Sequence, residues 1–156
     1  IDVYNGAYSF NSIGINDLPA NAKVTLSGGE LLISKVRPTR GAITLITRNL
    51  TGTTVASGAF YVCSVDNVHY REIVWIYLRL MTTLFEKYCT GTSYPTIDSS
   101  YISELPIPNF SPKLARHIHD EVNKAIQLRN SAQTELTKSV QYVEKLIREA
   151  THNASK

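Results

Sequence analysis

Cysteine is scarce in this chain. Cys63 and Cys89 are the two it has in 156 residues, and no motif spacing pairs them, which fits reduced, buried thiols in a cytoplasmic protein better than a disulfide scaffold. Long apolar runs are lacking too. The longest, around residues 73–81, is interrupted by Arg79 and is too short to cross a bilayer, which argues against a membrane span. No basic segment precedes an apolar core after Ile1, and no small-residue cleavage site follows, so no secretion signal is expected. Charge of one sign is not in large excess, since 16 Lys and Arg stand against 13 Asp and Glu, a formal +3. That balance neither demands nor excludes a nucleic-acid partner.

Catalytic motifs are as sparse. Gly28-Gly29 is followed by Glu30, and Lys35 lacks the flanking Gly-Lys-Ser/Thr pattern, which excludes phosphate-loop catalysis. Neither a glycine-rich cofactor loop nor an Asn/Asp-Pro-Pro-aromatic signature occurs, so base methylation by this chain is not expected. Glu121 with Lys124, and Glu135 with Lys138, have the i, i+3 spacing of surface ion pairs on a helix, not the spaced carboxylates of many nucleases. His117 and His119 are two apart, roughly 200° around a helix, and cannot clamp one metal as an i, i+4 pair can. Solvent or interface positions are expected for both. Without a Gly-x-Ser-x-Gly elbow, no Ser-His-Asp triad can be argued. No catalytic residue, metal ligand or cofactor is assigned, and the chain is expected not to be an enzyme.

What the sequence does contain is a clear division of pattern. Its length suits one domain with a sizeable core plus at most one appendage. Segments 23–26, 31–36, 42–46 and 59–63 are rich in β-branched and aromatic residues, and turn signals at 27–29, 38–41 and 50–52 separate them. Residues 70–88 contain no Gly or Pro and place Ile73, Tyr77, Leu80, Met81, Leu84 and Tyr88 at helical spacings, which predicts one largely buried helix. After an irregular stretch at 90–95, Pro106 and Pro108 favour an extended arm. Ser111 can then cap a helix with Pro112 at its first position. Nothing breaks that helix before about Ala150, so it is up to about 38 residues and roughly 57 Å long. Its apolar residues thin out through Arg129 and Gln133 and return as a heptad seam of Leu136, Val140, Val143, Ile147 and Ala150, which calls for a partner helix, the alternative being a lone helix folded back onto its own domain. The expected fold class is α+β: a small β-rich domain with a buried helix over 1–110, then a long C-terminal helix over 111–156 that pairs with another helix.

Two loops carry the candidate binding residues. In Lys35-Val36-Arg37-Pro38-Thr39-Arg40-Gly41 three cations sit on a strand end and its turn. In a strand, Lys35 and Arg37 would project to one face, setting the planar fork of Arg37 beside the point charge of Lys35. Arginine donors match guanine O6 and N7, lysine and backbone amides hold phosphates, and Thr39 suits a thymine methyl or a phosphate. The second loop, Thr90-Gly91-Thr92-Ser93-Tyr94, offers hydroxyls, a flexible glycine and a ring suited to backbone oxygens or base edges. The DNA-contact candidates are therefore Lys35, Arg37, Thr39, Arg40, Thr92, Ser93 and Tyr94, and the helix-interface candidates are Leu136, Val140, Val143 and Ile147.

The run Gly29-Glu30-Leu31-Leu32-Ile33-Ser34-Lys35-Val36-Arg37-Pro38-Thr39-Arg40-Gly41 resembles the G-D-I-L-I-S-x-V-R-P-T strand and turn of target-recognition domains in the specificity subunits of type I restriction-modification enzymes. Gly91-Thr92-Ser93-Tyr94-Pro95-Thr96-Ile97, then Ile102-Ser103-Glu104-Leu105-Pro106-Ile107-Pro108 and a long helix, resemble that family's closing segment and conserved spacer. The resemblance implies that the β-rich domain reads one half of a split site on double-stranded DNA from the major groove, while the helix sets the distance to the other half. It also implies a methylation subunit that binds S-adenosylmethionine and a restriction subunit that uses ATP as partners, with neither cofactor on this chain. The helix would pair with a second copy of the chain or with a second recognition domain. Two features depart from the family pattern: Asn109-Phe110-Ser111-Pro112-Lys113 opens the helix without the family's Gln, and one recognition domain with one helix stands where two of each are usual. A fragment, a half-length subunit that pairs with itself and the specificity end of a fused enzyme all fit that count. The competing reading is a non-catalytic interaction scaffold that dimerises through the helix.

Overall fold

Small antiparallel sheets and a long C-terminal helix make up the computed structural model, which describes residues 2–4, 7–40, 42–47, 50 and 53–154. Gly41, Arg48 and the expected turn residues Thr51 and Gly52 lie outside the described residues. Strands β1 (Asp2–Tyr4) and β2 (Ala7–Ser9) pair with one another. Next come β3 (Ala22–Leu26), β4 (Leu31–Ser34), β5 (Ile43–Leu45), β6 (Thr54–Ser57) and β7 (Phe60–Cys63). The pairings are antiparallel: β3 with β6, with a register shift between Ala22 and Val24, and β5-β4-β7 in a three-stranded sheet.

Strand β4 is central and buried at every residue. Leu31 and Ile33 enter the larger core cluster, with Ile43, Leu45, Ile73, Phe85 and Ile97, whereas Leu32 enters a smaller one with Leu26, Ile46 and Ala56. That accounts for its Leu31-Leu32-Ile33 run, since a strand covered on both faces has no polar side to alternate with. The turn into β4 is held by Glu30, whose carboxylate accepts the Ser27 and Gly28 amides at 2.7 and 2.8 Å. Gly29 stands at φ 89°, which favours glycine, while a Cβ there would meet only the movable end of the Arg71 side chain.

The single helix expected over 70–88 is two. Helix α1 (Arg71–Leu80) ends at Met81, and α2 (Thr82–Tyr88) follows at once. The break falls before Thr82-Thr83, two β-branched residues that weaken helix just there. The core is met by Ile73, Val74 and Leu78 from α1 and by Phe85 from α2, while Leu80, expected on the buried face, is exposed.

Strands β8 (Cys89–Thr90) and β9 (Thr96–Ile97) turn the expected irregular stretch into a short hairpin with 91–95 as its tip. A further helix not foreseen from the sequence, α3 (Ser99–Ser103), starts from Asp98, whose carboxylate accepts the Ser100 amide at 2.9 Å. That hydrogen bond holds the Asp98 carboxyl below its ordinary pKa. The proline-containing arm then runs without regular structure. Tyr77 and Tyr70 donate their hydroxyls to its Pro106 and Phe110 carbonyls at 2.9 and 3.1 Å, supplying partners where prolines cannot form a ladder. Helix α4 (Pro112–Ala154) opens as expected, with the Leu114 amide donating to the Ser111 hydroxyl at 3.3 Å.

Two compact units are present, Ile1–His119 and Asp120–Lys156, so the first takes in the opening turns of α4. Within the second, Lys138 pairs with Glu135 at 2.8 Å and Lys145 with Glu149 at 3.8 Å. Thr134, Thr137 and Ser139 each return their hydroxyl to the carbonyl four residues back. Among the described residues, no helix is long and apolar enough to cross a membrane.

Phe85 is wholly buried in the larger cluster. Phe85→Ala should lower unfolding free energy by about 3–5 kcal/mol, measured by urea denaturation of the whole chain. A loss below about 1 kcal/mol would mean that the packing around α2 closes over the void.

Candidate nucleic-acid interface

The basic turn is shaped by where β4 stops. At Ser34 the hydroxyl donates to the Val36 carbonyl at 2.7 Å and accepts the Val36 amide at 3.3 Å, a local bond that competes with strand pairing. The expectation that Lys35 and Arg37 share a strand face is therefore overturned. The strand has ended, and Arg37 takes φ 49°. Lys35 reaches the Gly58 carbonyl at 2.7 Å and sits 4.8 Å from the centre of the Tyr61 ring. Pro38 is buried and starts a short 3-10 helix, Pro38–Arg40, closed by the Arg40 amide on the Arg37 carbonyl at 3.0 Å. Thr39 is half-buried there and Arg40 is exposed.

The second loop comes to the first. Val36 bridges Thr96, the Ile97 amide donates to the Lys35 carbonyl at 3.0 Å, and the Arg37 amide donates to the Pro95 carbonyl at 2.7 Å. The Arg37 guanidinium adds a bond to the Ser93 carbonyl at 2.8 Å, across 56 positions of sequence, and lies 4.3 Å from the centre of the Tyr94 ring. Gly91 makes the tip possible at φ 92°, where an added Cβ would stand 3.1 Å from the Tyr94 carbonyl. Tyr61 braces the pair from beneath, donating to the Ile97 carbonyl at 2.9 Å. Burial, and then the Asp98 carboxylate, raise the pKa of that phenol, so it stays a donor.

All seven loop candidates thus belong to one neighbourhood, but in different roles. Lys35 is committed to Gly58 and Tyr61, and Arg37 is half-buried between the loops. Outward stand Arg40, Thr92, Ser93 and Tyr94, the last 67% exposed. A surface with an exposed guanidinium, hydroxyls and a braced ring can bind phosphate oxygens, donate to base edges and stack. On the long helix the four interface candidates are exposed, Leu136 at 59%, Val140 at 50%, Val143 at 53% and Ile147 at 59%, and their spacing of four, three and four forms one stripe.

The sequence reading missed a polar cluster within the first unit. Glu72 on α1 is buried, and its carboxylate meets His119 Nδ1 at 2.8 Å; the His119 ring stands edge-on to His69 with centroids 4.9 Å apart. His69 Nδ1 is buried without a hydrogen-bond partner among the described residues. The expectation for the two α4 histidines is corrected accordingly, because the 200° between them turns His119 inward and leaves His117 exposed. Glu72 was the available signal, the one acid of α1, standing just before the apolar and aromatic run 73–78. Cys63 and Cys89 are free and half-buried, and burial raises both thiol pKa values, with Glu86 adding to the rise at Cys89. Fewer thiolates form at neutral pH as a result.

A scan against protein-family models and a search of curated proteins return no match for this chain.

His119→Ala leaves the Glu72 carboxylate buried and unpaired, and should cost about 3 kcal/mol, whereas Glu72→Gln keeps a hydrogen-bonding group and should cost about 1 kcal/mol. Urea unfolding of both variants checks the order. Equal losses would mean that Glu72 is solvated in solution.

Proposed function

We propose that this chain reads double-stranded DNA without cutting or modifying it, as the target-recognition part of a type I restriction-modification specificity subunit that contacts one half of a two-part site. The observation that carries this reading is the meeting of the two loops that bear the resemblance: the 35–40 turn and the 91–95 tip form one surface, with Arg40, Thr92, Ser93 and Tyr94 outward. Phosphate contacts from arginine and hydroxyls would fix the register on the duplex, and donors reaching the major groove would supply selectivity. The exposed stripe at 136–147 supports pairing of the long helix with a second copy or a second recognition domain. The working assembly is then cytoplasmic. Its methylation subunit carries S-adenosylmethionine and its restriction subunit uses ATP, so this chain needs no cofactor.

Fluorescence anisotropy with a randomised duplex pool, with and without the methylation subunit and at two salt concentrations, tests the reading when the retained DNA is sequenced. An enriched half-site with salt-sensitive affinity is expected. Arg40→Ala should lower the slope of log affinity against log salt by about one. A pool that stays random with the partner present would sink the reading and favour the interaction scaffold, which the same exposed stripe also suits.

The helix has its own test. Replacing Val140 and Val143 with Asp puts charge into the seam and should halve the mass in light scattering while leaving the β-domain spectrum unchanged. Unchanged mass would count against pairing through that face.

A further inference from the structure

We propose that Arg37 is a positioning residue of the DNA-reading surface: it touches no base itself but latches the 91–95 tip to the 35–40 turn, and so sets which base pairs Tyr94 selects. The inference rests on the DNA-reading function proposed above, and it moves Arg37 from contact to support.

Arg37 turns its amide and one arm of its fork toward the hairpin tip. Its amide is on the Pro95 carbonyl, one arm of its fork is on the Ser93 carbonyl, and its carbonyl receives the Arg40 amide. A face of the guanidinium is covered by Tyr94 at 4.3 Å. The residue is half-buried, whereas Arg40, three positions on, is exposed. Such stacking and hydrogen bonding suit the planar fork and not a lysine ammonium. Arg37 also holds φ 49°, the one positive value at a non-glycine position among the described residues, a strained state that persists where surrounding contacts over-determine it.

The tip needs such a latch. Strands β8 and β9 are two residues each, far short of what holds a hairpin in water alone. Gly91 at φ 92° adds freedom at the point where the loop leaves β8, and 92–94 are exposed. Without Arg37, Tyr94 loses the guanidinium behind its ring and Ser93 the donor on its carbonyl. A contact surface that must be ordered on binding discriminates less than one already ordered.

The test is sequence enrichment from a randomised duplex pool by the chain with its methylation subunit, comparing wild type with Arg37→Gly, Arg37→Lys, Tyr94→Ala, Arg40→Ala and the Arg37→Gly/Tyr94→Ala double variant. Glycine accepts the positive φ, so Arg37→Gly removes the latch and leaves the backbone path. If that variant loses its thermal transition, Arg37→Lys, which keeps charge without the fork, takes its place. Arg37→Gly, Arg37→Lys and Tyr94→Ala should relax the same base pairs, each by on the order of tenfold. The double variant should be no worse than either single one, and Arg40→Ala, which removes a phosphate contact, should lower affinity evenly without relaxing those base pairs. Relaxation by Arg37→Gly at a pair that Tyr94→Ala leaves intact would make Arg37 a base contact and overturn the latch. So would an even loss of affinity across all sequences, the mark of a phosphate contact, or unchanged selectivity. A wild type that enriches nothing removes the DNA-reading function and the latch together, whereas the preceding outcomes remove the latch alone.

Discussion

Everything in the first unit hangs on a four-residue strand that has no outside. β4 is paired along both edges, by β5 and β7, and covered on both faces, by the larger cluster at Leu31 and Ile33 and the smaller at Leu32. A slip of one residue would send Leu32 into the space built for its neighbours and expose the mismatch at once, so the register is strongly specified. That fixed register also determines where the chain leaves the sheet. The Ser34 hydroxyl turns it away at Val36, and the next residues are delivered beside β9.

Support for the candidate surface runs back through main-chain and ring contacts to that same strand. β9 is held from one side by the Lys35 carbonyl and from below by the Tyr61 hydroxyl, and Tyr61 is paired in register with Ile33 of β4. Ile97 of β9 is itself buried in the larger cluster. Exposed contact groups on short loops over a rigid sheet are the usual compromise between accuracy and access. The Glu72–His119 pair does comparable work behind, tying α1 to the opening turns of α4.

Much of this was legible in residue order. Gly and Ser turn signals around 27–29 and the β-branched runs marked β3, β4, β5 and β7, and Ser111-Pro112 marked the start of α4, because each depends on local preferences. The break at Met81 was missed, since no Gly or Pro announces it and the Thr82-Thr83 pair weakens helix only slightly. Helix α3 had a signal, the Asp98-Ser99-Ser100 cap, hidden by the prolines after it. Reading 31–36 as one strand put Lys35 and Arg37 on one face, and a single serine hydroxyl reversed that. The two loops were each marked by composition, but their meeting is a long-range fact, decided by strand pairing across 56 positions. His119 pointed inward for the same reason: its partner is on another element.

The bonds that seat the hairpin tip end on carbonyl oxygens, those of Ser93 and Pro95, and every amino acid carries a carbonyl. Positions 92 and 93 can therefore be respelled with other side chains while the seat stays the same. For the DNA-reading function proposed above, such an arrangement would separate the vocabulary of the surface from its grammar: new targets would become reachable by exchanging exposed letters, with no renegotiation of the sheet beneath.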